Sequence, residues 1–178
     1  RLTGLKGQMI LRGAWSARTS SSAVDTPTSK MIKIVRTDSE GLYPALDDGL
    51  RDALEGKRAF HHYNYGSQHR GDDIGTPAFS ESTHPVFRTH PETGRKAAYV
   101  NRLMTEHVGD MPRDESDALL EKLFDHSELP EFVYEHVWRP GDLMVWDNRC
   151  SMHGRTDFPS HERRLFWRTT VEDTEMPR

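Results

Sequence analysis

Residues 132–146 read FVYEHVWRPGDLMVW and decide the fold class of this chain. Two runs of apolar and polar residues flank an Arg-Pro-Gly segment at residues 139–141. Pro and Gly suit the two central positions of a type II turn, and short β-prone runs on either side of such a turn are typical of strands. The stretch therefore predicts two strands joined as a β-hairpin.

The β pattern continues on both sides of this stretch. Strands are predicted at residues 85–89 and 96–100, on either side of a turn that contains Pro and Gly. Residues 164–171 (RLFWRTTV) alternate, so Arg164 and Arg168 share one face of a strand. Hairpins separated by a helix predict a mainly β fold with helical insertions, arranged as an antiparallel sandwich or barrel.

Two helices interrupt the strands. Leucines recur every fourth position from residue 42 to residue 54, which predicts a helix over residues 44–56. Residues 114–125 begin with acidic side chains and carry an apolar stripe, which predicts a second helix.

Two segments show neither the alternation of a strand nor the periodicity of an amphipathic helix. Residues 16–29 are rich in Ser and Thr and are predicted to be a loop or disordered, because they contain too little apolar material to form a buried face. Residues 59–80 are predicted to be a long loop. Residues 1–41 as a whole are expected to be a poorly defined segment, disordered or atypical in structure.

Composition narrows the classes of function. The 178 residues suit one domain, and the net charge of −4 argues against a general nucleic-acid binder. No run of apolar residues is long enough to cross a membrane. The single cysteine, Cys150, excludes an internal disulfide. We expect a cytoplasmic protein that binds a small molecule; a homo-oligomer is left open.

Residues 146–168 read WDNRCSMHGRTDFPSHERRLFWR and hold the candidate chemistry. A neutral imidazole at His153 would be an ordinary ligand for iron, copper or zinc. Arg164 and Arg168, on one strand face, could hold a dicarboxylate or two anionic ligands, because a guanidinium presents a planar fork of donors that matches a carboxylate. The pattern indicates an anion site beside a metal.

A simpler interpretation stays open at this point. In it His153 packs in the interior, Cys150 is a small half-buried residue, and the arginines are solvated or paired with nearby acidic residues (Asp147, Asp157, Glu162).

Four strings resemble a known family: residues 89–101 (THPETGRKAAYVN), 114–132 (DESDALLEKLFDHSELPEF), 138–153 (WRPGDLMVWDNRCSMH) and 163–171 (RRLFWRTTV). Together they resemble the C-terminal half of the TauD/TfdA family of Fe(II)/2-oxoglutarate-dependent dioxygenases. The resemblance implies a double-stranded β-helix (jelly roll), of which this chain holds an incomplete part. It assigns residues 42–178 to a TauD/TfdA-like dioxygenase domain.

The family's site residues can be transferred position by position. The resemblance implies that His153 is an iron ligand, that Arg164 binds the distal carboxylate of 2-oxoglutarate, and that Arg168 contributes to this anion site and reaches the acidic group of the substrate. No catalytic side chain is expected beyond the metal ligand. The implied cofactors are Fe(II) and 2-oxoglutarate, and the implied partners are O2 and a small acidic substrate, taurine-like or aryloxyalkanoate-like. Succinate and CO2 are the implied co-products, and residues 61–66 are expected near the substrate entrance.

One departure from the family pattern is important. The family supplies its other iron ligands from an H-x-D motif, and this sequence contains none. Two H-x-E strings, at residues 90–92 and 126–128, are poor substitutes because one opens a turn and the other ends a helix. Thr37 is the nearest candidate for the family's 2-oxoglutarate-binding threonine. The alternative is therefore a truncated, catalytically inactive homologue that acts at most as an anion-binding module.

Overall fold

The fold is a set of small antiparallel sheets packed with two helices. A computed structural model describes residues 15–25, 31–36, 41–64, 79–155 and 165–173. The strands are β1 (Trp15–Asp25), β2 (Met31–Arg36), β3 (Arg58–Asn64), β4 (Phe79–Pro85), β5 (Phe87–Thr89), β6 (Lys96–Ala98), β7 (Thr105–Val108), β8 (Val133–Val137), β9 (Leu143–Asp147), β10 (Ser151–Arg155) and β11 (Leu165–Asp173). The helices are α1 (Asp48–Leu54) and α2 (Arg113–Ser127), and single 3-10 turns cover Tyr43–Ala45 and Pro130–Phe132.

The described strands form four sheets. Their orders are β11-β1-β9, β10-β2-β8, β4-β3-β7 and β5-β6, and every pairing is antiparallel. The mainly β fold with helical insertions is therefore confirmed for the part of the chain that the structure describes. No helix in the described ranges is long and apolar enough to cross a membrane.

The strand β1 corrects the loop predicted for residues 16–29. Its backbone pairs on both sides, so that Ser20 lies opposite Thr169 of β11 and Val145 of β9. A strand held between two neighbours has its backbone hydrogen bonds satisfied by them and does not need an apolar pattern of its own. Residues 26–30 lie outside the described residues.

The predicted loop at residues 59–80 is also wrong at both ends. Residues 59–64 belong to β3 and residues 79–80 to β4, and the two strands pair from Arg58 opposite Pro85 to Asn64 opposite Phe79. The part between them, residues 65–78, lies outside the described ranges.

The turn at residues 139–141 is confirmed, but the hairpin predicted around it is not. The amide of Asp142 donates to the carbonyl of Arg139 (3.0 Å), and Gly141 has φ +89°. The strands before and after this turn do not pair with each other in the structure: β8 pairs with β2, and β9 pairs with β1. The two N-terminal strands supply alternative partners, so the reversal leads the chain from one sheet into another.

The other predicted hairpin and both helices are observed. Phe87 of β5 lies opposite Ala98 of β6. Helix α2 matches the prediction for residues 114–125 and buries Leu120, Leu123 and Phe124. Helix α1 is shorter than predicted, because the carboxylate of Asp47 accepts a hydrogen bond from the amide of Leu50 (3.2 Å) and begins a new helix there.

Among the residues that the structure describes, two groups of buried apolar side chains organise the interior. The larger one packs α1 and α2 against the β5-β6 hairpin and includes Leu54, Phe87 and Phe124. The smaller one contains Ile34, Trp138 and Trp146. Because Trp146 and Ile34 belong to β9 and β2, this second group lies between two sheets and supports the strands that carry the candidate site.

Candidate functional site

The turn between β9 and β10 is held by one acidic residue. The carboxylate of Asp147 accepts hydrogen bonds from the amide of Arg149 (2.8 Å) and from its side-chain Nε (2.9 Å) and Nη2 (2.6 Å). The carbonyl of Asp147 accepts from the hydroxyl of Ser151 (2.5 Å). These contacts fix the backbone immediately before the strand that carries His153. Arg149 is thus paired with Asp147, as the simpler interpretation of this arginine-rich segment allows for one of its arginines.

The same carboxylate contacts the β5-β6 hairpin. His90 Nδ1 accepts from the amide of Thr93 (3.2 Å), so the ring proton lies on Nε2, which donates to Asp147 Oδ2 (3.2 Å). Arg149 Nη2 also donates to Glu92 Oε1 (3.1 Å). Both nitrogens of His90 are thus engaged within the protein, which agrees with the prediction that the string at residues 90–92 is a poor source of iron ligands.

The charges in this network stabilise one another. Burial raises the pKa of Asp147, but hydrogen bonds from Arg149 and His90 outweigh burial and hold that pKa below its ordinary value. The hydrogen bond to Asp147 is the main cause that raises the pKa of Arg149. Arg149 is only 4% exposed, so the pair is an ionised contact in the interior and not a surface contact.

His153 lies at the centre of the β10-β2 ladder, directly opposite Ile34. Its ring centroid is 4.9 Å from that of Trp146, whose indole nitrogen donates to Asn148 Oδ1 (2.8 Å). Burial, and secondly the positive charge of Arg168, lower the pKa of His153 to about 4. The imidazole is therefore neutral at physiological pH, which is the form that binds a metal.

The structure brings Arg168 into electrostatic range of His153. Arg168 is exposed on β11, in the sheet β11-β1-β9, whereas His153 belongs to the sheet β10-β2-β8. The positive charge of Arg168 contributes to the lowered pKa of His153 although their strands lie in different sheets. Arg164 and Thr37 lie outside the described residues.

The iron triad is not complete in the described part of the chain. There, His153 belongs to no group of three ligand-type side chains with donor atoms near one another. One such group is formed by His90, Asp147 and Cys150, with atoms within 4.8 Å. Its carboxylate and imidazole already bond each other, and Arg149 occupies both carboxylate oxygens. His153 fits iron as one ligand, and no group of three in the described ranges includes it.

Sequence reasoning missed one buried cluster. His61 was predicted in a loop near the substrate entrance, yet it lies on β3 and is 0% exposed. Its ring centroid lies 5.5 Å from that of His84, which is also buried. No signal of ligand spacing could have revealed the pair, because only the pairing of β3 with β4 brings the two residues together.

Comparison with known proteins defines the class to which this β-rich fold and its site belong. The family model described as "Taurine catabolism dioxygenase TauD, TfdA family" matches residues 36–170. The chain belongs to this TauD/TfdA family of dioxygenases, which confirms the resemblance predicted from the four strings.

Individual relatives agree with this assignment. The chain is 33% identical over 157 residues to a pentalenolactone F synthase of Streptomyces arenae, covering 80% of this chain and 52% of that protein. It is 37% identical to an alpha-ketoglutarate-dependent 2,4-dichlorophenoxyacetate dioxygenase of Cupriavidus pinatubonensis, covering 76% of this chain and 49% of that protein. The chain thus spans about half the length of these curated relatives.

A solved structure is also similar. The crystal structure of AAD-2 in complex with Mn(II) and N-oxalylglycine superposes with a TM-score of 0.81 at 28% identity. The alignment covers 98% of this chain and 71% of that chain.

Proposed function

We propose that this chain is part of an Fe(II)/2-oxoglutarate-dependent dioxygenase that hydroxylates a small acidic organic substrate, taurine-like or aryloxyalkanoate-like. The observation that carries the proposal is the match to the TauD/TfdA family over residues 36–170, within which His153 lies on β10 with its ring against that of Trp146. Family membership and alpha-ketoglutarate-dependent relatives support the same reaction class.

Each site residue has a distinct proposed role. His153 would bind the metal through a ring nitrogen, and its pKa of about 4 keeps that nitrogen unprotonated at neutral pH. Arg164 would bind the distal carboxylate of 2-oxoglutarate, and Arg168 would contribute to this anion site and orient the acidic group of the substrate. Bound iron would supply the oxidation chemistry that links decarboxylation of 2-oxoglutarate, giving succinate and CO2, to hydroxylation by O2.

The ligand set limits what these 178 residues do alone. The sequence contains no H-x-D, and His153 belongs to no group of three ligand-type side chains in the described ranges. A single imidazole leaves most of the coordination sphere to water, so tight iron binding requires a histidine and a carboxylate that this sequence does not provide in the family's form. We propose a double-stranded β-helix for the domain at residues 42–178, with β1 and β2 joining its sheets. We also propose that the protein is cytoplasmic and that its partners include neither nucleic acid nor a membrane.

The absence of an H-x-D motif from the sequence favours one alternative function. In this alternative the chain is a catalytically inactive homologue that keeps its arginines and binds 2-oxoglutarate or a similar anion without iron. The two functions predict the same role for Arg164 and different roles for His153, so variants at these two positions separate them.

The test is an anaerobic titration of the chain with Fe(II) and 2-oxoglutarate, followed by a succinate assay in air. The dioxygenase predicts a visible charge-transfer band that H153A abolishes, and succinate that depends on iron. Anion binding without a band or succinate would support the inactive homologue. Binding of 2-oxoglutarate that is unchanged in R164A would contradict both functions, and R139M, which removes an exposed cation, is the matched control.

A further inference from the structure

Arg88 is a buried cation with no acidic partner among the residues that the structure describes. It lies on β5 and is 4% exposed. Its Nε is fully buried and has no hydrogen-bond acceptor among the described residues. Its guanidinium carbon lies 4.9 Å from the centroid of the Tyr99 ring. A contact with an aromatic face offsets only part of the cost of removing a guanidinium from water, so this cation lacks full compensation.

Two buried imidazoles continue the cluster beyond Tyr99. The ring centroid of His84 lies 5.5 Å from that of Tyr99 and 5.5 Å from that of His61. His61 Nδ1 is 3.1 Å from the hydroxyl of Thr105. When that hydroxyl donates to Nδ1, the ring proton of His61 lies on Nε2, which is buried without an acceptor in the described ranges. With this tautomer, Arg88 and His61 each bring a buried N–H donor to the cluster.

Positive charges act on the histidines of this cluster. Burial is the largest cause that lowers the pKa of His84 to about 4, and the positive charges of Arg58 and Arg88 lower it further. Burial, with a smaller contribution from His84, lowers the pKa of His61 to about 3. Both imidazoles are neutral at physiological pH, and the surrounding charge disfavours a metal cation. An anion would accept hydrogen bonds and compensate the charge of Arg88 at once.

We propose that Arg88, His84 and His61, beside Tyr99, form a buried site for a small monovalent anion such as chloride. The site is distinct from the proposed iron centre, because its residues come from β3, β4 and the β5-β6 hairpin and include neither His153 nor Arg168. The anion would supply an acceptor to the Nε of Arg88 and to the Nε2 of His61. Anion binding at this site does not require dioxygenase activity.

Chlorine NMR of the 178-residue chain tests this proposal. Chloride that exchanges with a protein site gives a broadened line, and the broadening is compared in the native chain, R88M and R139M. R88M removes the buried charge and keeps much of the aliphatic stem, whereas R139M removes an exposed charge on the turn before β9. The signal of the site is the extra width of the chloride line in the folded native chain compared with the same chain unfolded in urea. We expect R139M to show this extra width. We expect R88M to lose it.

Equal broadening in the native chain and in folded R88M would overturn the proposal. Should R88M fail to fold by near-ultraviolet circular dichroism, crystals of the native chain soaked in bromide give an independent answer. An anomalous peak in contact with the Arg88 guanidinium supports the site. Crystals that bind bromide elsewhere and not at Arg88 would reject it.

Discussion

His90 Nε2 lies 3.2 Å from Asp147 Oδ2, although the two residues are 57 positions apart in the chain. This hydrogen bond joins the turn of the β5-β6 hairpin to the turn between β9 and β10. Arg149 adds a second contact across the same gap through Glu92. Because His153 follows Asp147 by only six residues, the position of the candidate metal ligand depends on a hairpin that contributes no ligand to it.

We expect D147A to destabilise the fold by about 3 kcal/mol, because it leaves the buried guanidinium of Arg149 without its main partner. Urea unfolding measures the loss. D48A is the matched control: Asp48 pairs with Arg51, but its side chain is 84% exposed, so its loss should cost less than about 1 kcal/mol. Equal costs for the two variants would mean that the Asp147 network contributes no more than a surface ion pair.

Replacing Arg168 should raise the pKa of His153. Burial is the larger cause of the value near 4 and Arg168 the smaller one, so R168M should move the pKa upward while leaving it below 6.5. Titration of the imidazole signals by NMR in the metal-free chain gives the value. R139M should leave the pKa of His153 unchanged. A His153 pKa that is the same in R168M as in the native chain would contradict the proximity of the two side chains.

Acid should destabilise the fold through His61. Its pKa is about 3 in the folded state against 6.5 for the free side chain, so the unfolded chain binds the extra proton. Its contribution is complete above pH 6.5 and is lost as the pH falls toward 3, at up to about 1.4 kcal/mol per pH unit. Urea unfolding between about pH 7 and about pH 5 should show a shallower pH dependence in H61N than in the native chain. Parallel curves would assign the acid sensitivity to other groups.

Gly141 should resist substitution because of its backbone conformation. Its φ of +89° is unfavourable for a residue with a Cβ, so G141A should cost about 1–2 kcal/mol. G109A is the control, since Gly109 has an ordinary φ and a Cβ added there would lie 3.5 Å from the carbonyl oxygen of Arg58, an ordinary contact. Thermal unfolding of both variants makes the comparison. A cost for G109A as large as that for G141A would show that space, and not backbone conformation, limits glycine replacement here.

Local patterns predicted the elements that carry their own signal. Helix α2 has acidic residues in its first turn and an apolar stripe, and the structure buries Leu120, Leu123 and Phe124 of that stripe. The turn at residues 139–141 could also be predicted, because Pro restricts the backbone angles and Gly permits a positive φ. The strands that pair with β8 and β9 could not be predicted, because strand pairing depends on which other strands compete for each edge. The Ser- and Thr-rich β1 was missed for the same reason.

The candidate site shows the same difference between local signals, which could be predicted, and long-range contacts, which could not. The spacing of Arg164 and Arg168 along one predicted strand, together with the family strings, indicated His153 and the two arginines as candidates. In the structure the charge of Arg168 contributes to the lowered pKa of His153, and Arg164 lies outside the described residues. The contact of His90 with Asp147 and the burial of His61 arise from long-range pairing, and no spacing in the sequence encodes either of them.

The order β11-β1-β9 has a practical consequence for anyone who shortens this protein from its start. Removing residues 15–25 would take out the middle strand of a three-stranded sheet and leave the facing backbone groups of β9 and β11 without their hydrogen-bond partners. Bare strand edges of this kind pair readily with other chains. A version trimmed to the recognisable family region would therefore lose a serine-rich strand and gain a tendency to aggregate.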